Sequence, residues 1–404
     1  MTHFIPRSRL FILAALASTA LAACIDSEPP KAPAPPPAAT SIAAVNETVA
    51  VTAVVDAADM TSSVKIETWI DDLDEPWGIS FTAPQTALIT QKSGALFLYK
   101  DGVLTAISNV PDVYDERQGG LMDVTLDPNW PEEDWIYFSL SHPKTPGSEE
   151  AMTQIIRAKL SGTELTNIEI LFKAKDEDYV KTGFHYGSRI TFDKAGRLYF
   201  SIGDRGIMKD AQDVTKPNGK VHRINRDGSI PEDNPFVDTE DAYPSIYSYG
   251  NRNPQGLIIH PQSDILWSTE HGPKGGDELN IIRSGVNYGW PEISYGINYD
   301  DTILTEFTQK PGMAQPISQW TPSIAVSGLD VYQGAVFPQW NGKLLAGALA
   351  YEEVRLVTVK GGDYVTEAII LQQEGRVRDV TTGPDGAIYV ANESQILRLT
   401  PADK

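Results

Sequence analysis

From about Val64 onward, apolar and polar residues alternate in short runs, and each run stops at Gly, Pro, Asn or Asp. A period of two bounded by turn residues predicts strands. No long stretch holds a 3.6-residue period with caps at both ends, so long helices are not expected. The runs form a recurring unit. An apolar strand leads to a Pro- or Gly-containing turn, a second strand follows, and a short third strand ends near another glycine. The unit reads PWGISFTAPQTALITQKSGALFLY at 76–99 and GGLMDVTLDPNWPEEDWIYFSLS at 119–141. It returns at 187–204 with 219–225, at 253–272 with 277–283, at 327–349 with 354–359, and at 377–400. Six sheet-sized units predict an all-β fold, a six-bladed β-propeller, over residues 64–404. A sandwich, or several β domains with common turn chemistry, is the competing arrangement. A propeller gathers its ligand sites where inner strands and inter-blade loops meet the central channel.

The N-terminal segment follows a different pattern. Arg7 and Arg9 precede an apolar stretch from Leu10 to Leu21, which is too short for a comfortable transmembrane span. Residues 1–23 are expected to be a signal peptide. Leu21-Ala22-Ala23-Cys24 resembles a bacterial lipobox, and Cys24 is the single cysteine of the chain. Residues 24–63 are rich in Ala, Pro, Ser, Thr and Val, as an extended tether would be. The expected product is exported and lipid-anchored at Cys24, on the outer membrane facing the periplasm, with no other membrane contact.

Composition narrows the chemistry. The chain has 404 residues and a formal net charge of −21, which argues against nucleic-acid binding. One cysteine excludes a disulfide framework, a Cys-rich zinc site and a haem-attachment motif. With 32 Gly and 28 Pro, turns are plentiful.

Several segments are too specific for blade filler: Arg117-Gln118-Gly119-Gly120-Leu121, His185-Tyr186-Gly187-Ser188-Arg189 and Gly250-Asn251-Arg252-Asn253-Pro254-Gln255-Gly256-Leu257. Glu270-His271-Gly272-Pro273, Gly276-Asp277-Glu278-Leu279-Asn280, Asn287-Tyr288-Gly289-Trp290-Pro291 and Arg376-Val377-Arg378-Asp379 complete the set. His185 stands just before a predicted inner strand, where an imidazole can take a proton near neutral pH. Without further context such a histidine serves structure as readily as catalysis. His142, His222 and His260 read as structural or surface residues. Arg252, Arg376 and Arg378 are permanently charged planar donors, a local positive site in an acidic chain if they converge. Arg376 and Arg378 are two apart, so on a strand they share a face. The Gly272 and Pro273 carbonyls are hard oxygen donors suited to Ca²⁺.

Together, in order from about residue 68 to 400, these motifs resemble the soluble PQQ-dependent sugar dehydrogenases, particularly their aldose sugar dehydrogenase branch. That family is a six-bladed propeller, in agreement with the repeat count. The resemblance implies pyrroloquinoline quinone (PQQ) and Ca²⁺ as cofactors and oxidation of an aldose at C1 to a lactone. It implies that His185 is the catalytic base, with Arg252 at the reacting end of the cofactor. Gln118, Arg252, Asn253, His271, Arg376 and Arg378 would bind the cofactor. Gly272 and Pro273 would hold the calcium beside it, and Glu278 and Tyr288 a second, structural calcium. A small sugar and an external electron acceptor, a quinone or a cytochrome, are the implied partners.

The chain departs from the family pattern at four positions. Ala350 stands where many members carry a cofactor-binding lysine. Phe184 replaces the Asp of the best-known glucose enzymes, His271 replaces a glutamine, and Val326 stands where relatives often have proline. Two other functions fit a propeller of this kind: an inactive relative that binds a glycan or protein partner, and a calcium-dependent lactonase. The loops expected to shape a sugar pocket are 142–152, 205–218 and 296–322.

Overall fold

The computed structural model describes residues 64–402. The expected signal peptide, Cys24 and the tether lie outside the described residues. Twenty-four strands form six four-stranded antiparallel sheets. Five of these are consecutive in sequence. They comprise β2 (Pro76–Ala83) to β5 (Val103–Ala106), β6 (Leu121–Leu126) to β9 (Glu164–Phe172), and β10 (Ile190–Phe192) to β13 (Ile246–Tyr249). The next two are β14 (Pro254–Ile259) to β17 (Ser318–Trp320) and β18 (Val326–Val331) to β21 (Asp363–Gln372). The sixth combines β22 (Asp379–Thr382), β23 (Ile388–Ala391) and β24 (Ile396–Pro401) with the first described strand, β1 (Val64–Ile70). β1 pairs antiparallel with β24 from Val64↔Pro401 to Ile70↔Ile396, and so closes the ring between the two ends of the body. The fold is a six-bladed β-propeller. Among the described residues the only helical pieces are short 3-10 turns, such as Met208–Gln212.

The first strand of each sheet packs against the first strands of both neighbouring sheets, and the ring closes between β22 and β2. Six apolar clusters, one at each junction between adjacent blades, hold the sheets face to face. The Phe337 and Trp340 rings stack with centroids 4.1 Å apart inside the cluster that joins the fifth and sixth blades. Burial of both faces explains why β11 (Leu198–Ile202) and β3 (Thr86–Gln91) up to Thr90 are continuously apolar or small. Outer strands such as β9 face water along most of their length.

One side chain spans the channel. Arg189, just before β10, places Nη1 2.9 Å from Asp123 Oδ1 of the second blade and 3.0 Å from Asp379 Oδ1 of the sixth. Its Nε donates to the Gln255 carbonyl of the fourth blade at 3.2 Å, and its guanidinium lies 4.4 Å from the Trp77 ring of the first. A cavity lined by all six inner strands begins at this arginine.

Candidate active site

At one mouth of the channel the starts of the inner strands meet the ends of the second strands. Gln118, His185, Arg252 and Arg378 stand before β6, β10, β14 and β22, while Gly272 and Pro273 follow β15 (Leu266–Glu270). Strand direction thus brings residues up to 260 positions apart in the chain to one rim.

His185 has left-handed backbone geometry, with φ at 54°. That conformation costs a non-glycine residue and must be held by its surroundings. The holding contacts are explicit. The His185 N–H donates to Gln118 Oε1 at 2.7 Å. Gly203 packs so closely on the His185 carbonyl that a Cβ there would collide with it. His185 Nδ1 lies 2.6 Å from Asp204 Oδ1. Asp204 is fully buried, and it also accepts the Gly206 N–H at Oδ1 and the Trp290 Nε1–H at Oδ2, each at 2.7 Å. An ionised carboxylate only accepts, so Nδ1 carries the proton and Nε2 keeps its lone pair. Burial would raise Asp204, but the hydrogen bond and charge of His185, with Arg252, hold it below the ordinary carboxylate value. Burial pushes His185 below its ordinary value. The Asp204 hydrogen bond opposes that shift, and the Arg252 charge adds to it.

Two guanidiniums act on the neighbouring His271, and one of them, Arg252, also acts on His185. Arg252 is buried, donates from Nη1 to the His271 carbonyl at 3.0 Å and lies 5.3 Å from the Trp290 ring. Its own N–H donates to Glu270 Oε1. Arg378 donates from Nη1 to Gln255 Oε1 at 2.7 Å, and burial with the charges of Arg189 and Arg376 presses it down to about 10. His271 lies between the two. Burial and the charges of Arg378 and Arg252 hold it well below its ordinary value, so it is neutral. Its Nε2 is buried with no partner among the described residues. A buried polar atom without a partner is costly. Close to two arginines, His271 Nε2 is a polar atom that a bound ligand could satisfy.

A small cavity beside Arg252 is lined by His271, Gly272, Pro273, Glu278, Tyr288 and Trp290. Glu278 stands directly opposite Glu270 across the β15–β16 pair, where β16 is Asp277–Ile281. Burial drives both carboxyls up, and the Glu270 charge raises Glu278 further. Glu270 is satisfied by Asn251 Nδ2 at 2.8 Å and by the Arg252 N–H. Glu278 Oε2 accepts from Asn280 Nδ2 at 2.9 Å, so one oxygen faces the cavity without a hydrogen bond. Among the described residues no three His, Cys, Asp or Glu side chains gather as metal ligands. A cation in this cavity would rest on one carboxylate and on carbonyl oxygens, a donor set that fits Ca²⁺. Gly272, Pro273, Glu278 and Tyr288, expected as two separate pairs, line one cavity.

The structure corrects several expectations. Arg376 and Arg378 do not share a strand face, because β22 begins only at Asp379. Arg376 is about half exposed and faces Glu393 at 3.9 Å, while Arg378 turns inward to Gln255. Asn253 is buried, and its Oδ1 accepts the Gly187 N–H at 3.1 Å, so it also braces the His185 loop. Gln118 is exposed and braces the same loop with its carbonyl oxygen. Ala350 is exposed between β19 (Leu344–Ala348) and β20 (Glu353–Lys360). The loop expected over 142–152 is shorter, since β7 (Ile136–Pro143) and β8 (Ala151–Ser161) claim its ends. His142, His222 and His260 are structural, as expected. His222 is buried and stacked on Phe200, and His142 and His260 bond to the Tyr179 hydroxyl and the Gly342 carbonyl.

The matched motifs and the geometry agree with comparison to known proteins. A family model described as Glucose / Sorbosone dehydrogenase matches residues 73–400. The chain belongs to that family. It is 38% identical over 351 residues to aldose sugar dehydrogenase YliI of Escherichia coli, covering 84% of this chain and 94% of that protein. It is 25% identical over 414 residues to quinoprotein glucose dehydrogenase B of Acinetobacter calcoaceticus, covering 80% and 84%. The apo crystal structure of the soluble E. coli aldose sugar dehydrogenase superposes with a TM-score of 0.80, covering 84% of this chain and all of that one. The PQQ-bound aldose sugar dehydrogenase of Streptomyces coelicolor shares the fold at 24% identity, with a TM-score of 0.67, covering 84% and 99%.

Four members of this family site escaped the sequence analysis. Asp204 is the partner of His185, and Trp290 anchors Asp204. Glu270 holds the Arg252 backbone, and Gln255 holds Arg378. Trp290, Glu270 and Gln255 all fall inside motifs recognisable in the sequence. Asp204, at the end of the third unit, had only its place in a strand-to-loop junction as a signal.

Proposed function

We propose that the protein is a PQQ- and calcium-dependent dehydrogenase that oxidises aldoses at C1 to lactones and passes the electrons to an external acceptor. One observation carries this reading. The Trp290–Asp204–His185 chain leaves a proton-accepting Nε2 near the buried Arg252, with Arg378 and the unpartnered His271 Nε2 close by. An acidic chain builds a positive pocket next to a base, as an anionic redox cofactor and a hydroxyl substrate require.

Arg252, Arg378 and the His271 ring would hold PQQ. When bound, it supplies the ortho-quinone that takes two electrons and the C1 hydrogen from the sugar. Arg252 favours negative charge at the reacting end. Glu278 and the carbonyls of Gly272, Pro273 and Tyr288 would hold Ca²⁺. His185 Nε2 receives the proton of the C1 hydroxyl. Asp204 fixes the productive tautomer and stabilises the imidazolium that forms, while Trp290 fixes Asp204. Arg376 at the rim adds positive potential.

The test uses the soluble body stripped with chelator, PQQ and Ca²⁺ added back, a panel of aldoses and a dye acceptor. Dye reduction that needs both additions and collapses in His185→Ala is expected. Failure to bind PQQ would overturn the proposal. We also propose that residues 1–23 are an export signal and that Cys24 carries a lipid anchor on the periplasm-facing outer membrane, on the strength of the Leu21–Cys24 lipobox pattern. Cys24→Ser should move the protein from the membrane to the soluble fraction of cells.

A further inference from the structure

Most large apolar side chains in the described body are buried, but Phe184 is 41% exposed and directly precedes His185. Its backbone is fixed with unusual care for a residue whose side chain meets water. Arg205, fully buried, donates from Nη1 to the Phe184 carbonyl and from Nη2 to the Thr182 carbonyl at 2.6 Å and the Ala151 carbonyl at 3.3 Å. The Gln118 N–H donates to the Gly183 carbonyl at 2.9 Å, while the Gln118 side chain accepts from His185 N–H. Arg117 crosses Gly183, where a Cβ would come within 2.7 Å of the Arg117 side chain, and sets its guanidinium 5.0 Å from the Phe184 ring centre. The His185 ring lies 6.3 Å from the Phe184 ring.

Arg205 fixes the backbone of the loop that carries Phe184 and His185, and Arg117 lies against the Phe184 ring, whose exposed part lies beside the base. The same bracing that holds His185 therefore also fixes where the Phe184 ring starts. A sugar offers the matching chemistry. One face of a pyranose ring carries axial C–H bonds, and these pack on an aromatic face while the hydroxyls point away to polar partners.

We propose that Phe184 is the platform on which an aldopyranose rests its C–H face, which sets the C1 hydroxyl within reach of His185 Nε2. The inference rests on the dehydrogenase reading for the identity of the site and adds the element that positions its substrate. Arg117 acts through Phe184 as a positioning residue. Guanidinium contact draws ring electron density to one side and restricts the ring's rotation.

The experiment measures aldose binding and turnover separately, in the full body and in Phe184→Ala, Phe184→Trp and Arg117→Met. Binding to the cofactor-free protein is followed by saturation-transfer NMR on the sugar C–H protons, and turnover by dye reduction after PQQ and Ca²⁺ loading. Phe184→Ala should weaken both sugar Kd and KM by about tenfold, with kcat within threefold and PQQ affinity unchanged. Phe184→Trp should restore them, and Arg117→Met should cost about 2- to 5-fold. Phe184→Ala leaving Kd and KM within twofold overturns the platform, whatever the enzyme turns over. Loss of sugar binding in Phe184→Ala without turnover in wild type supports the platform and sinks the dehydrogenase reading instead. A wild type with no affinity for any aldose overturns the platform outright.

Discussion

Asp204→Asn is the sharpest test of the site, because the structure specifies which of two failures should follow. Asp204 Oδ1 accepts from both His185 Nδ1 and the Gly206 N–H, and Oδ2 accepts from Trp290 Nε1. An asparagine must place its NH₂ on one side. Facing His185, the NH₂ would flip the imidazole tautomer and also oppose the Gly206 donor. Facing Trp290, it opposes one donor only and leaves His185 in its productive tautomer. The second arrangement is favoured, so the variant should be a weakened base rather than a dead one. Demoting a charged hydrogen bond to a neutral one costs about 1.5 kcal/mol. Losing the attraction between carboxylate and forming imidazolium at about 4 Å costs up to about 4 kcal/mol at an effective dielectric of 20. At 1.36 kcal/mol per tenfold, kcat should fall by about 10- to 1000-fold.

The pH dependence carries an independent sign. His185 works as a base only when neutral, and Asp204 raises its pKa against the lowering by burial and Arg252. Removing the carboxylate lowers the pKa further, so the acid limb of the kcat profile should move to lower pH. The assay is dye reduction at saturating sugar from pH 4 to 9, with His185→Ala as the floor. A kcat within threefold of wild type, or an acid limb that moves upward, would refute the assigned partnership.

Three further outcomes are expected. Arg189→Met leaves the Asp123 and Asp379 carboxylates buried without their shared cation. It should cost about 3–5 kcal/mol in urea unfolding, and adding Asp123→Asn should recover part of that loss. Chelation should lower the melting temperature of wild type by a few degrees. Calcium at a hundred times its Kd stabilises by about 2.7 kcal/mol, and Glu278→Gln should abolish the difference. Deleting residues 64–70 removes β1 from the sixth blade, along with Ile70 and the Trp69 ring that sits 4.4 Å from Tyr99 and 4.7 Å from Tyr389. Unfolding free energy should drop by at least about 3 kcal/mol, and the bare β24 edge should promote association visible by light scattering.

The three inner strands of each blade were legible because they bury both faces, so their apolar runs are dense and bounded by turns. The fourth strands were not. β9 shows one buried residue in its first seven, and β17 is three residues long. β1 reads as a strand, but its partner lies more than 300 residues away, and nothing local assigns it to the sixth sheet. The site divides along the same line. His185, Arg252 and Arg378 stand out as unusual residue types at strand starts. Their partners, Asp204, Glu270 and Gln255, are acids and amides of ordinary appearance, and only the closed ring sets Asp204 against Trp290, 86 residues on. Arg376 and Arg378 misled because both precede the strand, by three residues and by one, where a period of two no longer sets the facing of side chains.

Arg189 and its two aspartates tie five blades together across the channel. Under the proposed function, cofactor, sugar and electron acceptor are expected to meet at the rim that carries Arg378, with Phe184, Arg376 and Ala350 among its exposed residues. A shared rim makes simultaneous occupancy by sugar and a bulky acceptor sterically exclusive. Reduction and reoxidation then alternate, which gives parallel double-reciprocal plots for sugar and acceptor. Intersecting plots would show that sugar and acceptor occupy the site together and would refute the exclusive shared rim.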